Sequence, residues 1–164
     1  MVRTVIGVMG SGHPLDHHAR ELAYRVGAMI ADRGWALLTG GSATGVMDAA
    51  SRGAHEAGGL VVGVLKSDSG AEASSFVDVA IRTGMGDARN VINVLSSDVV
   101  IALPGGAGTL SEVALALKAG KTVVAIGWEP GQSMRQASDG LLAYATTAEE
   151  AIAIVATAIA HHHH

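Results

Sequence analysis

The sequence predicts an α/β fold, a Rossmann-like three-layer sandwich with a mostly parallel central sheet. Three observations predict it. Short unbroken apolar runs recur along the chain, each the mark of a strand buried on both faces. Longer stretches between them carry apolar residues at helical spacing. The runs at residues 5–9, 35–39 and 99–103 each empty into a glycine-bearing loop, the joint at which a parallel strand passes into its crossover helix.

The elements follow in order. Residues 5–9 (Val-Ile-Gly-Val-Met) are the first strand, ending in the loop Gly10-Ser11-Gly12-His13-Pro14. A helix over residues 15–33 has Leu22, Val26, Met29 and Ile30 on its inner face. Residues 35–39 form a second strand, and Gly40-Gly41-Ser42-Ala43-Thr44-Gly45 a second glycine loop. The next helix covers 46–57 and is stopped by Gly58-Gly59. Residues 60–65 are a third buried strand. Residues 66–75, rich in Ser, Asp, Ala and Gly, are a loop and the expected mobile lid. Residues 77–81 alternate, as a strand with one more exposed face does. Residues 85–97 are helical, 99–103 and 122–126 are strands, and a polar linker leads to a terminal helix over 146–160.

Length and composition set the limits. The 164 residues fit one domain of ordinary size, and residues 1–160 read as a single Rossmann-like domain. His161 to His164 read as the remnant of a purification tag. Apolar residues make up 49% and aromatics only 3%, so Ala, Val, Leu, Ile and Gly build the interior. There is no cysteine, which excludes disulfides and thiolate metal sites and fits a reducing, cytoplasmic setting. A formal charge of −4 offers no basic surface to nucleic acid. No secretory signal pattern opens the chain and no apolar stretch reaches a membrane span, so no membrane partner is expected.

In an open parallel sheet, ligands bind beyond the carboxyl ends of the strands. The loops at Gly10, Gly40 and Gly105 all leave such ends and should meet at one crevice. The strongest signal is Pro104-Gly105-Gly106-Ala107-Gly108-Thr109-Leu110-Ser111-Glu112. Its glycines let a ligand approach the backbone, and the free N–H groups of the helix it opens present partial positive charge to an anion. The candidate phosphate-binding residues are Gly10, Ser11 and Gly12; Gly40, Gly41, Ser42 and Gly45; and Gly105, Gly106, Ala107, Gly108 and Thr109. The competing reading is local. Thr109-Leu110-Ser111-Glu112 fits a capping box, in which Glu112 only satisfies its own helix terminus.

Other motifs narrow the choice. Leu15 stands where a dinucleotide fingerprint needs glycine, and no acidic residue ends the second strand, so NAD is not expected. Val46 stands where a P-loop needs lysine. Arg89 lies near a helix start, where the dipole disfavours a cation. It therefore points to an anionic partner (a phosphate, Asp87 or Glu112), with a surface ion pair as the bland alternative. His13, His17 and His18 lack a metal-binding pattern, and Ser11 and Ser42 lack a nucleophile elbow. Val91, Ile92, Val94 and Leu95, like Leu110, Val113, Leu115 and Leu117, cover more than one helix face. Either a second copy of the chain covers the outer face, or both faces are core.

PGGAGTLSE, residues 104–112, resembles the PGGxGTxxE signature of the Lonely Guy phosphoribohydrolases, once described as lysine decarboxylases. GGSATGVMDAA, residues 40–50, is similar to that superfamily's second glycine loop. A closer resemblance, over residues 5–127, is to the molybdenum cofactor carrier branch, through GVMGSG, GWALLTGG, GAHEAGGLVVGVL, TGMGDARNVINVLSSDVVIA and EVALALKAGKTVVAIG. The resemblance implies a Rossmann-like fold and a homo-oligomer, dimeric in the hydrolases and often tetrameric in the carriers. It also implies a phosphate-bearing ligand over the glycine loops. In the carriers the molybdenum cofactor is cargo, bound by its terminal phosphate without chemistry. In the hydrolases an arginine and the signature glutamate act on a nucleoside 5′-monophosphate, releasing free base and ribose 5-phosphate with no cofactor; those roles fall on Arg89 and Glu112. The hydrolase pattern Met-x-x-Arg-Lys is broken here, with Gly86 at the methionine and Asn90 at the lysine. No lysine sits in a context for a Schiff base with pyridoxal phosphate. The first expectation is thus a cytoplasmic carrier of molybdenum cofactor or a similar phosphorylated pterin or nucleotide, and the alternative a phosphoribohydrolase.

Overall fold

The computed structural model describes residues 1–162. Its strands are β1 (Val5–Met9), β2 (Ala36–Thr39), β3 (Val61–Leu65), β4 (Val79–Arg82), β5 (Val99–Ala102), β6 (Thr122–Ile126) and β7 (Leu142–Ala145). All pair in parallel, in the order β4-β3-β2-β1-β5-β6-β7. The helices are α1 (His17–Asp32), α2 (Gly45–Glu56), α3 (Arg89–Leu95), α4 (Ala107–Lys118), α5 (Gln132–Gln136) and α6 (Ala148–His162). Of the four C-terminal histidines, His161 and His162 continue α6, and His163 and His164 lie outside the described residues.

Period-two alternation along the strands divides the interior into two cores. Ile6, Val8, Leu37, Val99, Ile101, Val124 and Ile126 pack with Ala23, Val26 and Ile30 of α1, Val46 and Ala50 of α2, and Ile152 of α6. On the other face Leu38, Val64, Val100, Ala102, Val123 and Ala125 pack with Val94 of α3 and Val113, Ala116 and Leu117 of α4. Burial of each such Val, Leu or Ile side chain contributes about 1.5–3 kcal/mol. Two aspartates just ahead of strands tie neighbouring strands at their start. Asp98 Oδ2 accepts the Val5 N–H at 2.8 Å, and Asp78 Oδ2 accepts the Val61 N–H at 2.8 Å.

Three local expectations are revised. The linker before the last helix holds α5 and the strand β7, whose Leu142-Ala143-Tyr144-Ala145 buries only its two ends and so lacks an unbroken apolar signature. The helix expected over 85–97 is broken. Gly84 and Gly86 adopt positive φ, a 3₁₀ turn runs Gly86–Ala88, and the α-helix begins only at Arg89. The loop 66–75 is tied down rather than loose. Ser42 and Ala73 form an antiparallel bridge, Ser74 Oγ donates to Asp48 at 2.7 Å, and Glu72 accepts from the N–H and hydroxyl of Ser67.

Helices α1 and α2 cross at glycines. A Cβ on Gly27 would land on the Ala50 carbonyl oxygen, and one on Gly53 on the Tyr24 carbonyl oxygen. Both obstacles are backbone, which cannot swing aside. Gly27→Val is expected to destabilise the chain by about 3 kcal/mol or more, read as a lowered urea midpoint at unchanged slope.

Candidate functional site

Strands β1 and β5 are neighbours although the chain between them builds half the sheet. Crossovers leave them in opposite directions, so a crevice must open at their carboxyl ends. Backbone bonds sew the loops there together: the Ser11 N–H donates to Pro104 O at 3.1 Å, and the Val46 N–H donates to Ser11 O at 2.8 Å. One residue thus joins the loops after β1 and β5 and the start of α2. The approach is close enough to dictate residue type. Gly45 has φ +62° and presses on the Ser11 carbonyl, while a Cβ on Gly40 would meet the Arg89 guanidinium.

The crevice holds about 540 Å³. Gly10, Ser11, Gly12, Gly40, Ser42, Gly106, Ala107, Gly108 and Thr109 line it, together with Arg89 and Glu112. Gly41, Gly45 and Gly105 lie outside the lining. Gly41 packs on Leu65 and Gly63, Gly45 on Ser11 and Gly12, and Gly105 on the Thr109 hydroxyl, so their lack of a side chain serves loop convergence. Thr44, Met47, Lys66 and Glu72 also line the crevice and were not singled out from the sequence. For Lys66 a signal existed: it is the first residue past the β3 apolar run, at a strand carboxyl end.

The starts of the four long helices distinguish this crevice from the rest of the sheet. An α-helix cannot satisfy its first N–H groups itself. In α1, Asp16 does so by accepting the Ala19 N–H at 2.8 Å; at the start of α6, Thr147 accepts the Glu150 N–H at 3.2 Å. The two remaining long helices, α2 and α4, have no side-chain cap, and both begin at the crevice. In α4 the first helical bond is Leu110 N–H to Gly106 O at 3.0 Å. The N–H groups of Ala107, Gly108 and Thr109 therefore have no acceptor among the described residues. The capping-box reading of Thr109 and Glu112 is overturned: Gly106 is the N-cap, Thr109 is already helical, and Glu112 lies too deep to reach back.

Glu112 instead accepts from Asn93 Nδ2 at 3.1 Å, across to α3. It is only 8% exposed, and burial pushes its carboxyl above the usual carboxylate range, against the Asn93 hydrogen bond and the nearby Arg89 charge. Arg89 has neither Asp87 nor Glu112 as an ion-pair partner. Its Nη1 donates to Gly40 O at 2.7 Å and Val64 O at 2.6 Å, at the carboxyl ends of β2 and β3. Carbonyl dipoles hold it, and burial lowers its pKa while Glu112, Asp87 and Glu72 pull the other way. Three buried atoms here have no protein partner: Arg89 Nε, Asn90 Oδ1 and Asn93 Oδ1. Asn93 was missed from the sequence, although it lies one helical turn beyond Arg89. Among the described residues no group of three or more His, Cys, Asp or Glu could hold a metal ion.

A family model matches residues 3–152, which carry the whole sheet and the crevice. The chain belongs to the SLOG cluster4 family. It is 45% identical to a solved structure of the molybdenum cofactor binding protein from the phototrophic bacterium Rippkaea orientalis, with a TM-score of 0.93 over 97% of this chain and 99% of that one. It is 44% identical to the molybdenum cofactor carrier protein from Chlamydomonas reinhardtii, with a TM-score of 0.89 over 97% and 99%. A cytokinin riboside 5′-monophosphate phosphoribohydrolase of Mycobacterium tuberculosis is 37% identical over 110 residues, 66% of this chain and 59% of that relative. The Rossmann-like fold and the superfamily expected from the glycine loops are thus borne out.

Glu112 titrates higher folded than unfolded, so the folded state binds more protons between the ordinary carboxylate pKa and the raised one. Stability contributed by this group falls as pH rises through that window. Glu112→Gln is therefore expected to be more stable than the parent at pH 8 in urea unfolding, with the gap closing as pH drops to the ordinary carboxylate range.

Proposed function

We propose that the chain binds a phosphate-bearing small ligand in the crevice, and that the ligand is the molybdenum cofactor or a similar phosphorylated pterin, held as cargo. The observation that carries this reading is the uncapped start of α4. Three adjacent N–H groups without acceptors among the described residues, at the positive end of a helix dipole, suit a terminal phosphate. Gly106 and Gly108 support it, since nothing lies within 4 Å of where their side chains would be. That space is open to a ligand rather than taken by a neighbouring loop. Two solved relatives that cover nearly the whole chain are named for that cofactor.

A second reading has its own observation. Arg89 and Glu112 face the same crevice, and Glu112 is a buried carboxyl with a raised pKa, the state of a group fit for acid–base work. In a nucleoside 5′-monophosphate phosphoribohydrolase, ionised Glu112 would steady an oxocarbenium-like ribose as the base departs and water adds. The neutral Asn90 beside Arg89 favours the carrier.

Self-association belongs to the proposal as well. Met85, Val91 and Leu95 remain 49%, 42% and 60% exposed on and just before α3, an apolar strip that a second copy would cover. A homo-oligomer working in the cytoplasm fits this strip and the cysteine-free composition.

Two experiments test the reading. Gly108→Val is expected to keep the parent's melting temperature, yet to weaken binding of molybdenum cofactor by about a hundredfold, the scale of two lost charge-assisted hydrogen bonds. Incubation with AMP is expected to release no adenine. Release that Glu112→Ala abolishes would establish the phosphoribohydrolase instead.

A further inference from the structure

Two cations, Lys66 and Arg89, line the crevice against three carboxylates, Glu72, Asp87 and Glu112. Each ionised carboxylate is unfavourable for an anionic ligand, so the disposition of each charge matters. Arg89 is buried and fixed, with Nη1 shared between the carbonyls of Gly40 and Val64. Glu72 is occupied by Ser67 and Glu112 by Asn93. Lys66 and Asp87 are different. They pair with each other at 2.6 Å, and their side chains are 51% and 84% exposed.

The main chain of this pair is pinned while its side chains are free. Lys66 follows β3 directly, and its carbonyl accepts the Gly86 N–H at 3.1 Å, which holds the 3₁₀ turn carrying Asp87 beside it. A lysine stem has four rotatable bonds and its ammonium three donors, so it can turn to a new acceptor without moving the backbone. An exposed ion pair of this kind contributes little, and a phosphate dianion is the stronger acceptor.

The geometry points to Lys66 as a phosphate clamp held in reserve by Asp87: an incoming phosphate draws the ammonium from the carboxylate into the crevice, opposite the N–H groups of α4. This rests on the reading of the crevice as a phosphate site and names the residue that completes it. Arg89 orders the strand ends; Lys66 answers the ligand. Asp87 sets the threshold, because a ligand without a dianionic group cannot displace it.

A double-mutant cycle by calorimetry at low salt, with AMP as the probe, tests this. Lys66→Gln is expected to weaken AMP binding about tenfold, the loss of one charge-assisted hydrogen bond. Asp87→Asn is expected to tighten it about threefold by releasing the ammonium. In the Lys66→Gln background, Asp87→Asn is expected to change little, since there is no ammonium left to release. Unaltered melting temperatures show that each variant folds. AMP binding that Lys66→Gln leaves intact overturns the clamp alone. Tightening by Asp87→Asn that persists without Lys66 also overturns it, because Asp87 would then act only by repelling the phosphate. A parent chain that binds molybdenum cofactor but neither AMP nor inorganic pyrophosphate overturns a clamp driven by the phosphate, and one that binds none of the three overturns the phosphate reading itself, and the clamp with it.

Discussion

An α-helix begins with backbone donors that it cannot use, and the rest of this molecule follows from what happens to them at α4. At α1 and α6 the chain supplies its own oxygen, from Asp16 and Thr147. At α4 it supplies glycine, Gly106, and leaves the donors open. A run of unsatisfied amides is unfavourable when buried and tolerable when it faces a cleft that water or an anion enters. Placing them at the switch between β1 and β5 puts them in the one opening that the sheet topology provides. The site is therefore a property of the backbone, with side chains arranged around it.

That arrangement demands proximity, and proximity explains the glycines. Ser11 can bond both to Pro104 and to Val46 only because no side chain at Gly10 or Gly45 keeps the loops apart. Gly40 gives up its side chain to Arg89, whose guanidinium then gathers the carbonyl ends of β2 and β3. Arg89 is a cation serving negative dipoles before it serves any ligand. Beside it, Glu112 is buried at an electrostatic cost that Arg89 and Asn93 offset only in part. A group retained against such a cost has a role that a neutral residue would not fill.

Much of this was legible in the sequence, and what was not has physical reasons. Strands with both faces buried announce themselves as unbroken apolar runs, so β1, β2, β3, β5 and β6 and the convergence of their loops could be read directly. An edge strand such as β7, with Tyr144 exposed, carries no such signal. The capping box at Thr109 failed because the same four residues fit a helix that starts three residues earlier, and the N-cap at Gly106 and the partner of Glu112 decide between them. That partner, Asn93, comes from another helix. Arg89 was expected to face a phosphate, Asp87 or Glu112, and neither carboxylate pairs with it. Strand-end carbonyls were not among those considered, because tertiary structure alone brings Gly40 and Val64 to it.

The central claim is that the amides at the start of α4 are what the ligand meets first. Amide-resolved NMR titration of the full chain with a phosphomonoester reads it without any substitution. The account predicts that the backbone N–H resonances of Ala107, Gly108 and Thr109 move most, and downfield, as a charge-assisted hydrogen bond requires. If those three stay in place while the largest shifts fall in the cleft between α1 and α2, around Arg20, Tyr24 and Arg52, the ligand has a different home and the account is wrong.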